Sequence, residues 1–131
     1  MTRWRPLLIL EQRGTPQNQR GALWWMREHK WAEQAVTLAS KALDSAASDR
    51  ERELWSRLLD VRLDHLERVE DECDRILDSL RSREPAWVAE AAESYYVKGT
   101  PLVDVAHALH RGRTYVSATV PRALERLDRI G

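Results

Sequence analysis

Phenylalanine is absent from this sequence, cysteine occurs once, and glycine and proline occur five times each. A lone cysteine, Cys73, excludes an intrachain disulfide and any multi-cysteine metal site. Five scattered glycines cannot build a phosphate-cradling loop. None of the patterns G-x-x-x-x-G-K-[ST], G-x-S-x-G or H-E-x-x-H is present. No apolar run approaches the roughly eighteen residues of a membrane span. The apolar run at residues 7–10 is too short for a secretory signal, so a cytoplasmic location is expected. Catalytic groups are equally sparse. His29 and His65 are isolated, and His107 and His110 stand three apart without a third ligand nearby. Carboxylate pairs such as Glu90 and Glu93 fall on an exposed helix face. Neither an enzyme nor a cofactor nor a metal site is expected.

Net charge is missing too, with 21 basic against 21 acidic residues, which at first weighs against a nucleic-acid partner. The distribution reverses that. Residues 1–31 hold six basic and two acidic residues, residues 32–83 nine and thirteen, and residues 84–131 six of each. From Arg111 onward five arginines face only Glu125 and Asp128. Affinity for DNA follows the local field more than the total, so a basic C-terminal tip remains compatible with moderate, salt-sensitive binding.

What is present is helical periodicity. Residues 1–20, punctuated by Pro6, Gly14 and Pro16, read as a basic arm carrying Arg3, Arg5, Arg13 and Arg20. From 21 to 44, Trp24, Trp31, Ala35, Leu38 and Ala42 form one stripe, and Trp25, Ala32, Val36, Ala39 and Leu43 a neighbouring one. Their spacing favours packing over a platform for stacked bases. After a turn at 45–49, with Ser48 or Asp49 as cap, residues 50–82 form the longest uninterrupted helical pattern. Leu59, Arg62, Leu66, Val69, Cys73, Ile76 and Leu80 step by three and four along it as a heptad seam, with Arg62 the one charged member. The apolar members suggest a homo-oligomer interface, a dimer above all. Leu54, Leu58, Val61 and His65 form a second stripe for the first helix to cover. Glu84-Pro85 ends this helix. A further helix follows over 86–97, burying Val88, Ala91, Ala92 and Tyr95, with Tyr96 at the margin of that face.

Residues 100–130 carry the functional signal. Leu102, Val105, Ala106 and Leu109 give one short helix an apolar face, and Val116, Val120, Ala123 and Leu127 line a stripe on the next. Arg111-Gly112-Arg113 lies between as a turn in which Gly112 is expected to supply positive φ. Thr100-Pro101 suits a helix start. Two such helices make a helix-turn-helix, whose second helix reads the major groove. With the buried stripe in place, Arg113, Thr114, Ser117 and Ala118 face outward near the helix start, suited to base edges. Arg111, Tyr115 and Arg122 flank them as phosphate contacts. Pro121 falls inside this helix and predicts a kink near residues 117–120, or a break with Thr119 capping a new helix.

The last third also resembles a known pattern. Tyr95-Tyr96, Gly99, Asp104-Val105-Ala106, Leu109, Tyr115-Val116 and Ala123-Leu124-Leu127 are similar to the promoter-reading C-terminal domain of sigma factors. A short chain with a charged helical front and this tail resembles phage late-operon transcriptional regulators of the ArpU/RinA type. That resemblance implies double-stranded DNA as ligand and RNA polymerase as a further partner. The resulting expectation is an all-α chain in three parts: a basic arm (1–20), a helical hairpin or coiled coil for oligomerisation (21–83), and a sigma-like helix-turn-helix domain (84–131). Two other functions fit the same elements. One is a phage small-terminase subunit that recognises DNA, although such subunits usually carry the reader first. The other is a polymerase- or sigma-binding adaptor whose helix pair reads no DNA.

Overall fold

The computed structural model describes residues 20–130, so the basic arm over 1–19 lies outside the described residues. The fold is all-α, with no strand among the described residues. Helix α1 spans Ala22–Asp44, α2 Asp49–Arg83, α3 Ala86–Ala92, α4 Leu102–Ala108 and α5 Arg113–Ile130. A π-helical turn, Glu93–Val97, continues α3.

Helices α1 and α2 pack against each other along the hairpin that the sequence predicts. Ser48 caps α2, its Oγ accepting from the Glu51 amide at 3.1 Å, while Glu51 accepts from the Ala47 amide at 3.0 Å. This reciprocal arrangement satisfies donors that a helix start leaves without intrahelical partners. At the other end Glu84 is extended (φ −123°, ψ 162°), as a residue before proline prefers to be, and the chain turns into α3.

A single buried cluster contains residues of all five helices, including Trp25, Met26, Val69, Leu77, Leu80, Val88, Ala92, Val105, Val116 and Leu124. Its α2 members run only from Val69 to Leu80. Nearer the turn at 45–48 the hairpin has two layers and no third. Two helices alone bury one shared stripe, so Leu38, Leu54 and Val61 are 61%, 55% and 53% exposed, against the expectation that the hairpin would cover them. The tryptophans serve packing: Trp25 is buried, Trp24 meets it edge-on at 5.0 Å, and Trp31 is half-buried.

Polar groups also enter the hairpin. Glu28 is wholly buried and lies 3.1 Å from His65 Nε2. Arg62, the charged member of the heptad pattern, is buried as well. Its Nε and Nη1 have no hydrogen-bond partner among the described residues, and burial lowers its pKa.

The C-terminal segment departs from expectation at four points. The Lys98 amide donates to the Glu93 carbonyl at 3.0 Å, the wide bond of a π turn. The wider turn delays the helical phase, and Tyr95 emerges 43% exposed instead of buried. Gly99 at φ 73° then reverses the chain. Thr100 makes no side-chain cap. Pro101 occupies the N-cap position, its carbonyl accepting from Asp104 and Val105 at 3.0 Å. The left-handed residue of the turn after α4 is His110 (φ 54°), not Gly112, whose carbonyl opens α5 by accepting from Val116 at 3.0 Å. Finally, α5 runs unbroken through Pro121, without a new helix capped by Thr119. Burial of Val120, Ala123 and Leu124 on either side holds the backbone helical. That packing opposes a cost of about 3 kcal/mol for proline in a helix interior.

The two ends of the described chain meet. The Ala22 amide at the start of α1 donates to Asp128 Oδ1 and Oδ2 at 3.0 and 3.2 Å. A carboxylate from α5 thus does the work of an N-cap, which Gly21 has no side chain to do. Gly21 also makes room for it, because a Cβ there would collide with Asp128 Oδ2. Arg126 adds a tie from α5 to the α2–α3 junction, with Nε and Nη2 donating to Glu84 Oε1 at 3.0 and 2.7 Å.

Candidate nucleic-acid interface

The start of α5 divides cleanly by face. Val116, Val120, Ala123 and Leu124 are buried, whereas Arg113, Thr114, Tyr115, Ser117, Ala118 and Arg122 are exposed. The periodicity produces this directly: four and three residues along a helix return to one side, and the intervening positions point away. Neither Arg113 nor Arg122 has an ion-pair partner among the described residues. Arg113 therefore presents an uncompensated guanidinium, the group that grips guanine with two hydrogen bonds. The Ser117 hydroxyl donates to the Thr114 carbonyl at 3.0 Å. Its proton is turned toward the helix and its lone pairs remain free to accept from a base amino group.

One residue of the interface has no counterpart among the expected site residues. Trp87 of α3 lies half-buried beneath the turn before α5. The Arg111 guanidinium sits 4.3 Å over its ring, and the Tyr115 ring is 5.6 Å away at 31°. Stacking on one indole restrains both flanking side chains, so each is held with fewer free rotamers. Local sequence gives only the helix start after Pro85. The pairing with Arg111 and Tyr115 comes from tertiary packing.

A cleft of about 610 Å³ opens on the other flank of α5. Ser117 and Pro121 line it from α5, Met26, Arg27 and Lys30 from α1, and Tyr95, Tyr96 and Lys98 from the π turn and its end. Burial pushes the Tyr96 phenol above its ordinary pKa, while the charge and hydrogen bond of Arg27 pull it the other way. The phenol is therefore protonated at neutral pH.

No protein-family model, curated protein or solved structure matches this chain.

The expected oligomer seam is placed differently from the exposed set of α5. Val69, Cys73, Ile76 and Leu80 are buried within the single chain, and Leu59 and Leu66 are half-buried. Within the single chain the stripe is occupied by α1 and the C-terminal helices. Burial, followed by repulsion from Asp74, Glu70 and Glu72, pushes the Cys73 thiol up to about 12. His107 and His110 are exposed, and no group of three or more His, Cys, Asp or Glu among the described residues is arranged to hold a metal. No helix among them is long and apolar enough to cross a membrane.

Proposed function

We propose that this protein is a sequence-specific double-stranded DNA-binding regulator of transcription, of phage type, acting in the cytoplasm without a catalytic activity of its own. Helix α4, the turn at 109–112 and helix α5 act as the helix-turn-helix, with α5 in the major groove from Arg113 onward. The supporting observation is the outward face of α5, where Arg113, Thr114, Ser117 and Ala118 are exposed together while the opposite stripe is buried. Arg113 and Ser117 read base edges, Thr114 and Ala118 offer methyl contact to thymine, and Arg111, Tyr115 and Arg122 hold phosphates. RNA polymerase, the partner implied by the sigma-like tail, meets other surfaces of the chain.

Binding selection on random duplexes, followed by gel shifts with Arg113→Ala and Ser117→Ala, tests this reading. Each substitution is expected to weaken the selected site by about 1–3 kcal/mol and to relax preference at one base position. Selection of no duplex at all, or undiminished binding by both variants, would reject it in favour of an adaptor that contacts polymerase without reading DNA. A ring-shaped assembly in light scattering would favour the small-terminase reading.

A further inference from the structure

The cleft beside α5 gathers cations that neither the heptad pattern nor the helix-turn-helix accounts for. Arg27 and Lys30 lie three apart on α1 and therefore share a face, and both are exposed. Lys98 follows the π turn, also exposed, and reaches the same cleft. Glu33 is the one acidic residue in the lining, and its carboxylate lies 3.2 Å from His29 Nδ1. No ion pair engages Lys30 or Lys98 among the described residues. The acidic residues of α2, Glu67, Glu70, Asp71, Glu72, Asp74 and Asp78, take no part in the lining. Ser117, whose free lone pairs face outward, lines the cleft with these cations. A duplex seated on Ser117 therefore brings its flanking backbone to the mouth of a positively charged depression.

We infer that this cleft is a second DNA-binding surface, in which Lys30 and Lys98, supported by Arg27, take the phosphates of the strand bordering the groove that α5 occupies. This rests on the reading of α5 as the DNA-facing helix and extends it to the hairpin. The helical front then does more than carry the reader: α1 supplies half of the phosphate clamp. Arg27 also interacts with the Tyr96 phenol, so the two lysines are the charges that the test removes. Phosphate binding of this kind adds affinity and fixes orientation without reading sequence. Its signature is the dependence of binding on salt.

The test uses the full chain and a duplex obtained by selection, with the association constant measured across a salt series. Combining Lys30→Ala with Lys98→Ala is expected to make the slope of log K against log salt shallower by about 2, close to one for each phosphate that a lysine neutralises. Base preference should remain as in the parent. The charge-keeping pair Lys30→Arg and Lys98→Arg should retain the slope, as should Lys41→Ala, which lies on α1 outside the cleft. Circular dichroism of each variant separates weakened DNA binding from a damaged fold. An unchanged slope in the folded double-alanine variant, with binding still weakened by Arg113→Ala, overturns the cleft and leaves the α5 reading standing. Failure of the parent chain to bind any duplex overturns both.

Discussion

Helices α2 and α5 each bury one stripe in the same cluster, yet they treat surface charge in opposite ways. Along α2 four exposed arginines are paired within the helix: Arg52 with Asp49, Arg57 with Glu53, Arg75 with Glu72 and Arg81 with Asp78, all three or four residues apart. At the start of α5 the exposed Arg113 and Arg122 have no such partner among the described residues. Arg126, further along, is bound to Glu84. A helix whose charges are neutralised locally presents a solvated face. One whose cations stand open would have no ion pair to break on meeting an anion. Of the acidic run in α2, Glu72 and Asp78 are paired in this way, and none of its members lines the cleft beside α5.

The largest effect that can test this comparison comes from the stripe the two helices share. Leu80 of α2 and Leu124 of α5 are both fully buried in the one cluster. Replacing either by Ala should cost about 2–5 kcal/mol. Because the cluster is continuous, both variants should shift a single cooperative urea transition. If Leu124→Ala melts α5 while the hairpin transition stays in place, the helices belong to separately stable units. Next in size is the contrast between the outer faces. Arg113→Ala should lose about 1–3 kcal/mol of DNA affinity in a gel shift, while Arg75→Ala should leave it unchanged. Equal losses would erase the distinction between paired and open charge.

The cap that joins the chain ends gives a smaller effect. Asp128→Ala leaves the Ala22 amide without its acceptor and should lower stability by about 1 kcal/mol. Hydrogen exchange should show faster opening in the first turn of α1. Gly21→Ala, which pushes the same carboxylate aside, should reproduce part of that loss. The smallest effect concerns pH. Folded Cys73 holds its proton up to about 12, whereas the unfolded thiol has an ordinary value of 9.0. The thiol's contribution is thus fully present below pH 9 and lost as pH rises toward 12. Tyr96 acts in the same direction. Cys73→Ala should accordingly flatten, without abolishing, the alkaline decline in denaturant stability. Iodoacetamide should leave the native thiol unmodified at about pH 8 and label it after unfolding.

Much of this architecture was legible in the chain because it depends on near neighbours. Apolar residues at steps of three and four identified all the helical stretches, and a cap at Ser48 or Asp49 marked the start of α2. Glu84-Pro85 marked its end. The exposed set at the start of α5 followed from the same geometry, since placing Val116 and Val120 inside leaves Arg113 and Ser117 outside. Legibility failed where one local rule was opposed by packing. Pro121 argued for a kink or a break, and the break does not occur, because buried neighbours on both sides keep α5 continuous. Tyr95 has the spacing of a buried residue, and the π turn rotates it into solvent. Trp87 could not be tied to Arg111 and Tyr115 at all, because nothing in the sequence brings residue 87 beside the turn at 111.

Sequence alone determined the all-α class, the extents of the long helices and the polar face of α5, because these rest on backbone periodicity and on caps a few residues apart. Tertiary structure decided what each apolar stripe is used for. A heptad pattern states that a face will be covered and not by what: Val69, Cys73, Ile76 and Leu80 are covered within the chain, while Leu54 and Val61, equally apolar, stay open where no third layer reaches them. It decided as well that Asp128 caps a helix starting at Ala22, and that Lys30, Lys98 and Ser117 share one cleft. Contacts between residues so far apart in sequence depend on how five helices stack, which no local pattern of side chains encodes.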